Sequence, residues 1–275
     1  MGRPVCGLGV RDASAHAVSL FMIPRFLQRI RHLVLDDTTS YDQGLLDEAA
    51  FWRKSLANGG RNWDAAAFRM RMDPKFEFQP HLRELADKSP AARSGGPVQV
   101  LDVGAGPLSA VGHHWPGREV RLTAVDPLAD TFDQILAELD LHPPTRTRKA
   151  SGEDLLGVFA QDTFDIVVCS NALDHSRDPL LCVRQMFAVT RPGGWIFLWH
   201  YRNEAKEEGY AGLHQWNLDE ERGDLVLWNR EHRNSTRAAL GPAAVVDTRP
   251  DPAVARAIIT RIHKRDTSLP GNPTP

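Results

Sequence analysis

The run Val98-Gln-Val-Leu-Asp-Val-Gly-Ala-Gly-Pro107 constrains this chain more than any other stretch. A short apolar strand carries a carboxylate at its end and passes into a glycine turn, which the pattern predicts to open a helix. Gly104 and Gly106 permit positive φ and let the backbone approach a ligand where a Cβ would intrude. The N–H groups of the turn and of the next helix would then face a polar, nucleotide-like ligand. The same turn also serves as a plain connection between strand and helix, so its meaning depends on the segments downstream of it in the chain.

A dinucleotide fingerprint places a third glycine three residues after Gly106, where this chain has Ser109, and that departure counts against NAD. About twenty residues on, a second strand, Val120-Arg-Leu-Thr-Ala-Val-Asp126, ends in a carboxylate where a doubly wound sheet places one for ribose hydroxyls. Pro127 marks the turn after it.

Three further segments come in order: Ser151-Gly-Glu-Asp-Leu155, Thr163-Phe-Asp-Ile-Val-Val-Cys-Ser-Asn171 and Arg191-Pro-Gly-Gly-Trp-Ile-Phe-Leu198. Together with the glycine turn, they make roughly residues 97 to 200 resemble the class I, Rossmann-like S-adenosylmethionine-dependent methyltransferases, with a type-11-like methyltransferase domain. The resemblance implies an α/β fold: a doubly wound, mostly parallel seven-stranded sheet with an antiparallel last strand. It also implies S-adenosylmethionine as cofactor, leaving as S-adenosylhomocysteine. Carried over by position, Asp102, Gly104, Ala105 and Gly106 line its methionine and ribose side, Asp126 and Pro127 meet the ribose, and Gly152, Glu153 or Asp154 sits at the adenine edge. Asn171 joins this cofactor set at the end of the fourth strand. Asp224–Trp228 reads as a sixth strand and Ala255–His263 as a seventh.

With 275 residues, 42% hydrophobic and 25% charged, the chain suits one catalytic domain with an appendage. The expected division is a disordered stretch over 1–20, a helical N-terminal cap over 21–96, the methyltransferase domain over 97–266 and a mobile Pro-rich tail over 267–275. A net charge of −2 gives no footprint for nucleic acid. Cys6, Cys169 and Cys182 lack CxxC spacing and leave one thiol over in any pairing, which fits a reducing cytoplasm. No stretch reaches the roughly twenty apolar residues of a spanning helix, and Met1–Val18 is too polar for a secretory signal. Residues 21–35 read as an arginine-interleaved amphipathic helix that packs on its own domain or rests on a membrane surface or partner.

Within the cap, Leu45, Leu46, Ala49, Phe51, Trp52 and Leu56 form an apolar stripe, and the turn formers of Lys88–Pro97 mark its boundary with the catalytic core. Arg69 and Arg71 precede Pro74 and could clamp the cofactor's carboxylate or pair with Asp73 or Glu77.

After the fourth strand comes Asn171-Ala-Leu-Asp-His175, at the carboxyl end of a parallel strand, where open α/β sheets bind ligands. The family resemblance implies that Asp174 and His175 face the active site. His200 ends the fifth strand, and Tyr201, Asn203, His214, Gln215, Trp216 and Asn217 then form a dense polar and aromatic set suited to a hydroxyl-rich or planar acceptor. His113 and His114 are adjacent and no HxxxH or CxxC occurs, so metal-free transfer is expected. The reading is O-methylation of a small polar acceptor by in-line displacement, with His175, His200 or His214 as general base and Asp174 orienting one of them. The NALDH, VDPLAD and YAGLHQWN segments resemble a bacterial group associated with polysaccharide or secondary-metabolite loci, which suggests a sugar or secondary metabolite. N-methylation and a non-catalytic cofactor-binding scaffold are the alternatives, and the state is expected to be monomer or homodimer.

Overall fold

The computed structural model describes residues 37–266, with side chains from residue 41 onward. The expectations for residues 1–20, for the 21–35 helix, for Cys6 and for the 267–275 tail lie outside the described residues.

Strand β1 (Val98–Val103) lies at the heart of a seven-stranded sheet. It pairs in parallel with β2 (Val120–Asp126) on one side and with β4 (Phe164–Ser170) on the other. Outside β2 lies β3 (Thr147–Lys149), and outside β4 lies β5 (Thr190–Tyr201), both parallel. Strand order therefore reverses between β1 and β4, and the carboxyl ends of these strands flank the crevice where such sheets bind ligands. Nearly every residue of β1 and β4 is buried, because helices cover both faces of a parallel sheet and a continuous apolar run replaces alternation.

The far edge corrects one expectation. The Asp224–Trp228 strand is not the sixth strand of this sheet. With Asn217–Glu221 (β6) and Arg233–Ser235 (β8), it forms a separate antiparallel sheet, in which it is β7. The missing edge is β9 (Ala244–Pro250), paired with β10 (Ala257–Lys264), which runs antiparallel to β5 and is the last strand in the chain, as expected.

One face of the sheet is covered by α3 (Pro80–Lys88) and α4 (Pro90–Ser94), whose Leu82, Leu85, Ala86 and Ala91 pack on Val98, Val100, Ile166 and Val168. Most of the Lys88–Pro97 segment, expected as a turn-rich boundary, is thus helix packed on the sheet. The buried Asp165 carboxylate ties this layer together, accepting from Ala91 N at 3.1 Å, Gln99 N at 2.9 Å and Arg191 Nη1 at 2.9 Å. On the other face α6 (Pro179–Val189) and the small sheet enclose Leu101, Val167, Cys169 and Leu198. Cys169 and Cys182 are buried free thiols there, and burial pushes both well above the ordinary thiol range.

Two helices precede these layers, α1 (Asp37–Ala57) and α2 (Ala65–Met72). Trp52 and Leu56 of α1 pack on Leu108 and on Phe132, Ile135 and Leu136 of α5 (Ala129–Glu138). Leu46 of the expected stripe is instead 65% exposed. Among the described residues no helix is long and apolar enough to cross a membrane.

The glycine turn holds the largest surprise, since no helix follows it. Residues 104–119 run as turns, and the backbone at His113–His114 bonds to Phe76 and Phe78. His113 N and His114 N donate to Phe76 O at 3.0 and 2.9 Å, and Phe78 N donates to His114 O at 2.9 Å. A Cβ at Gly112 would overlap the Glu77 carbonyl.

Candidate active site

At the carboxyl ends of β1 and β2 the backbone is drawn tight. Gly104 N and Ala105 N both donate to Val125 O, at 2.9 and 3.1 Å, and Gly106 N donates to Asp126 Oδ2 at 3.1 Å. Asp126 also accepts from Leu128 N at 2.9 Å, which fixes its carboxylate at the strand end, with Pro127 exposed beside it. Burial drives its pKa up to about 7 against these two N–H donors, and the charges of Glu48 and Asp102 add to the rise. Gly104 and Gly106 adopt φ of 70° and 61°, where a side chain is strained. A Cβ at Gly104 would meet Ala172 Cβ at 2.5 Å, and one at Gly106 would meet Trp52 Cζ2 at 3.1 Å. Trp52, held by Glu48 Oε1 at 2.8 Å, therefore lies against the turn from the cap side.

Asp102 is buried at 1% exposure. Its Oδ2 accepts from Ser109 Oγ at 2.6 Å, so the residue that breaks the dinucleotide fingerprint holds the motif carboxylate. Burial lifts Asp102 to about 6, opposed by Ser109 and by the Arg71 guanidinium. Arg71 donates to Leu108 O at 3.1 Å and lies 4.6 Å over the Trp63 ring, while its buried Nε has no hydrogen-bond partner. Burial lowers it to about 10. Arg69, expected at the cofactor, is exposed instead. Residues two apart face different sides of a helix, so α2 can present only one of the pair to the crevice.

Along β3 and α6, Ser151 caps a 3-10 turn over Gly152–Gly157. Gly152 sits where a Cβ would come within 3.0 Å of Cys182 Sγ. Glu153 accepts from Arg177 N at 2.9 Å and from the Ser151 hydroxyl, and Asp154 is exposed. The Arg177 guanidinium lies 4.0 Å over the Tyr41 ring, so α1 reaches this end as well.

The segments after β4 and β5 lie beside the glycine turn, with Ala172 against Gly104. Asn171, at φ 50°, donates its N–H to Trp199 O at 2.7 Å and accepts from Tyr201 N at 3.3 Å, locking the two strand ends together. A 3-10 turn, Leu173–His175, then carries Asp174 inward to 2% exposure. Its Oδ2 lies 2.7 Å from His214 Nδ1 and 3.5 Å from His175 Nε2, and the two imidazoles meet edge to face at 4.5 Å. His200, buried at the end of β5, has no hydrogen-bond partner on either ring nitrogen, and Asp174 Oδ1 and His175 Nε2 have none either. Burial would raise Asp174, but His175, His214 and His200 outweigh it and hold the carboxyl below the usual range. His214 is raised to about 9, because its bond to Asp174 and the charges of Asp174, Glu204 and Glu208 overcome burial. Burial lowers His200 to about 4, against the pull of Asp174.

All four expected catalytic residues thus meet in one place, although forty positions separate Asp174 from His214. The expected acceptor-binding residues divide. Asn217 is fully buried, accepting from Lys206 N at 2.9 Å and donating to Tyr210 Oη at 3.1 Å. Gln215 Nε2 donates to Tyr210 O and Gly212 O, and its backbone N–H to Asp174 O at 3.2 Å. Asn203 bridges Asp219 and Trp228, and Trp216 Nε1 donates to Arg177 O at 3.2 Å. Gln215 Nε2, Trp216 Nε1 and Asn217 thus bond within or beside the loop that carries His214, and Asn203 bonds to the small sheet. Tyr201 stacks edge-on against Trp199 at 5.1 Å. Composition alone cannot separate a loop's own hydrogen-bond frame from a ligand surface. No sequence spacing marks a metal cluster, but one ligand atom each of Asp174, His175 and His214 lies within 4.8 Å of the others.

Residues 101–198 match the family model described as a methyltransferase domain. The chain is 30% identical over 135 residues to the ubiquinone biosynthesis O-methyltransferase of Chromobacterium violaceum, covering 48% of this chain and 56% of that protein. It is 31% identical over 134 residues to the enzyme of the same name from Nitrosospira multiformis, covering 46% and 53%. The chain spans about half the length of the curated relatives it matches. Among solved structures, 1,6-didemethyltoxoflavin-N1-methyltransferase of Burkholderia thailandensis aligns over 94% of this chain and 99% of its own, at 17% identity and a TM-score of 0.43. From β1 into β5, then, residues 101–198 of this chain are similar to a methyltransferase domain.

Proposed function

We propose that the protein methylates a hydroxyl of a small polar molecule. One observation carries this reading: the Asp174, His175, His200 and His214 cluster begins two residues beyond Ala172, which packs where a Cβ on Gly104 would stand. Donor turn and acceptor cluster are therefore neighbours across the crevice.

On the donor side, Asp102, Gly104, Ala105, Gly106 and Asp126 fit the cofactor, because the glycine turn holds its backbone at positive φ beside Asp126, which presents a fixed carboxylate at the strand end. Glu153 and Gly152 mark its adenine end, and Arg71 stands near Asp102 with an unused donor. S-adenosylmethionine supplies an electrophilic methyl group when bound. The chain's residues bind and orient, keep water out and handle the proton. Trp52, Trp63 and Phe132 form edge-on aromatic contacts that close the cap side of the turn.

A hydroxyl loses its proton as its oxygen gains the methyl, and a neutral imidazole within reach is worth roughly 10²–10⁴-fold. His200 is neutral at pH 7 and has both ring nitrogens unbonded, whereas His214 is already protonated against Asp174. His200 is therefore the proton acceptor, and the Asp174–His214 pair positions the acceptor molecule.

The names of the partial relatives, all O-methyltransferases, support oxygen over nitrogen. The test incubates the full chain with methyl-labelled cofactor and parallel panels of phenols, sugars and amines. Label in hydroxyl compounds, lost in His200→Gln, is the expected result. Label in amines alone, or saturable cofactor binding with no transfer to any panel, would replace this reading by N-methylation or by a scaffold role.

A further inference from the structure

Four buried polar atoms without hydrogen bonds gather in this acceptor cluster: Asp174 Oδ1, His175 Nε2 and both ring nitrogens of His200. Native proteins leave few such atoms, since each forfeits its hydrogen bonds to water when nothing meets it. Three side chains around them, Asp174, His175 and His214, each offer one ligand atom, all within 4.8 Å of one another. We propose that Asp174, His175 and His214 bind one divalent transition-metal ion, leaving coordination positions open toward the crevice.

The donor set selects the class of ion. Two imidazoles and one carboxylate suit Zn²⁺, Fe²⁺, Co²⁺, Mn²⁺ or Ni²⁺, whereas Mg²⁺ and Ca²⁺ favour oxygen-only shells. The spacing suits the same class, because ligand atoms on a tetrahedral ion with bonds of about 2.1 Å stand about 3.4 Å apart. Asp174 Oδ2 to His175 Nε2 is already 3.5 Å. Asp174 Oδ2 to His214 Nδ1 is 2.7 Å, a hydrogen bond whose single proton leaves to solvent when the ion takes its place.

The support around these ligands is that of a fixed site. Asp174 and His175 sit on one 3-10 turn anchored after β4, and the Gln215 N–H bond to Asp174 O at 3.2 Å pins the His214 loop to it. Glu204 and Glu208 stand close enough to act on His214, which adds negative charge around a dication. If the hydroxyl-methylation reading holds, the open positions would take the acceptor oxygen, so this step of the inference rests on that reading while the binding itself does not.

The experiment uses tag-free full chain, stripped with chelator and titrated with Co²⁺ and with Zn²⁺ in calorimetry, without cofactor or acceptor. One ion per chain is expected, with affinity falling about a hundredfold or more in His214→Ala and His175→Ala, since even outer partners of metal ligands are worth 10–100-fold. Arg69→Ala, on an exposed face, should bind as wild type. Should the ligand variants fail to fold, pulsed paramagnetic resonance of Cu²⁺-loaded wild type still decides, with coupling to two imidazole nitrogens expected. No saturable binding, binding unchanged in both ligand variants, or a Cu²⁺ signal without imidazole coupling would overturn the site. Failure of methyl transfer would leave all these readouts intact, so the two ideas fall separately.

Discussion

Cofactor affinity should rise with pH across neutrality, and Asp126 is the reason. Two backbone N–H groups, from Gly106 and Leu128, stabilise its ionised form, yet burial and the neighbouring charges of Glu48 and Asp102 leave it near 7 in the cofactor-free protein. Ribose hydroxyls donating to this group require the carboxylate, so binding pulls its pKa down and protonation competes with the ligand. With the free value near 7, about nine-tenths of molecules are ionised at pH 8 and about one-tenth at pH 6, so the dissociation constant should be roughly tenfold weaker at pH 6. The sign for stability is the reverse. A carboxyl raised in the folded state favours the fold at low pH, and that contribution is lost as pH climbs from the ordinary 3.8 through about 7. Asp126→Asn removes the titration and should weaken binding by about 1.5–3 kcal/mol, roughly 10–150-fold at pH 8, the cost of losing a charged acceptor. Quenching of Trp52 fluorescence, from a ring that lies against Gly106, gives the dissociation constant directly. Constant affinity from pH 6 to 8 in the wild type would refute the ribose assignment. A slope that survives in Asp126→Asn would move the titration to Asp102, which burial raises to about 6.

Gly106→Val should abolish cofactor binding with the far-ultraviolet spectrum retained, since its Cβ would press on Trp52 at 3.1 Å at a φ of 61° that β-branched residues avoid; wild-type affinity would make the turn a mere connection. His200→Gln should lower kcat by about 10²-fold or more with cofactor affinity within about twofold, and an unchanged kcat would remove His200 as proton acceptor. Arg71→Met should weaken cofactor binding about tenfold, the order of one charge-assisted bond, whereas Arg69→Ala should not; equal effects in calorimetry would return Arg69 to the site. Asp165→Ala strands three donors, two of them backbone, and should cost about 3–5 kcal/mol in urea unfolding without altering cofactor affinity. A loss below about 1 kcal/mol would show that solvent satisfies those donors.

The central strands were legible because a parallel strand buried on both faces writes itself as an unbroken apolar run, as in Phe164–Ser170. The same property misled at Asp224–Trp228, where an apolar run marked a strand but could not say which sheet it joins. The true edge strand, Ala244–Pro250, alternates buried and exposed residues and ends in proline, a pattern edge strands tolerate and a search for core strands passes over. The helix expected after the glycine turn came from the motif's usual context, against the local signals of Gly112, Pro116 and Gly117. Asp174 and His175 were readable from their place after β4. Their meeting with His214 depends on a loop closing over forty residues, which no local spacing records.

The lost helix bears on how the crevice works. A helix opening at the glycine turn would have aimed unbonded N–H groups and a positive dipole at the cofactor. Here those of Gly104, Ala105 and Gly106 are committed to β2 and Asp126. On the proposed reading, recognition at the donor end falls to fixed side chains, two carboxylates raised by burial and one buried guanidinium with a donor to spare. A cationic sulfonium entering that end is attracted by both carboxylates, while Arg71 offers the donor to any carboxylate that accompanies it. The proposed acceptor end is the reverse, one carboxylate surrounded by three imidazoles. Ala172, packed on Gly104, is the backbone joint between the two ends. Substitutions among the histidines should consequently act on the acceptor alone, whereas a change at Ala172 displaces both ligands at once.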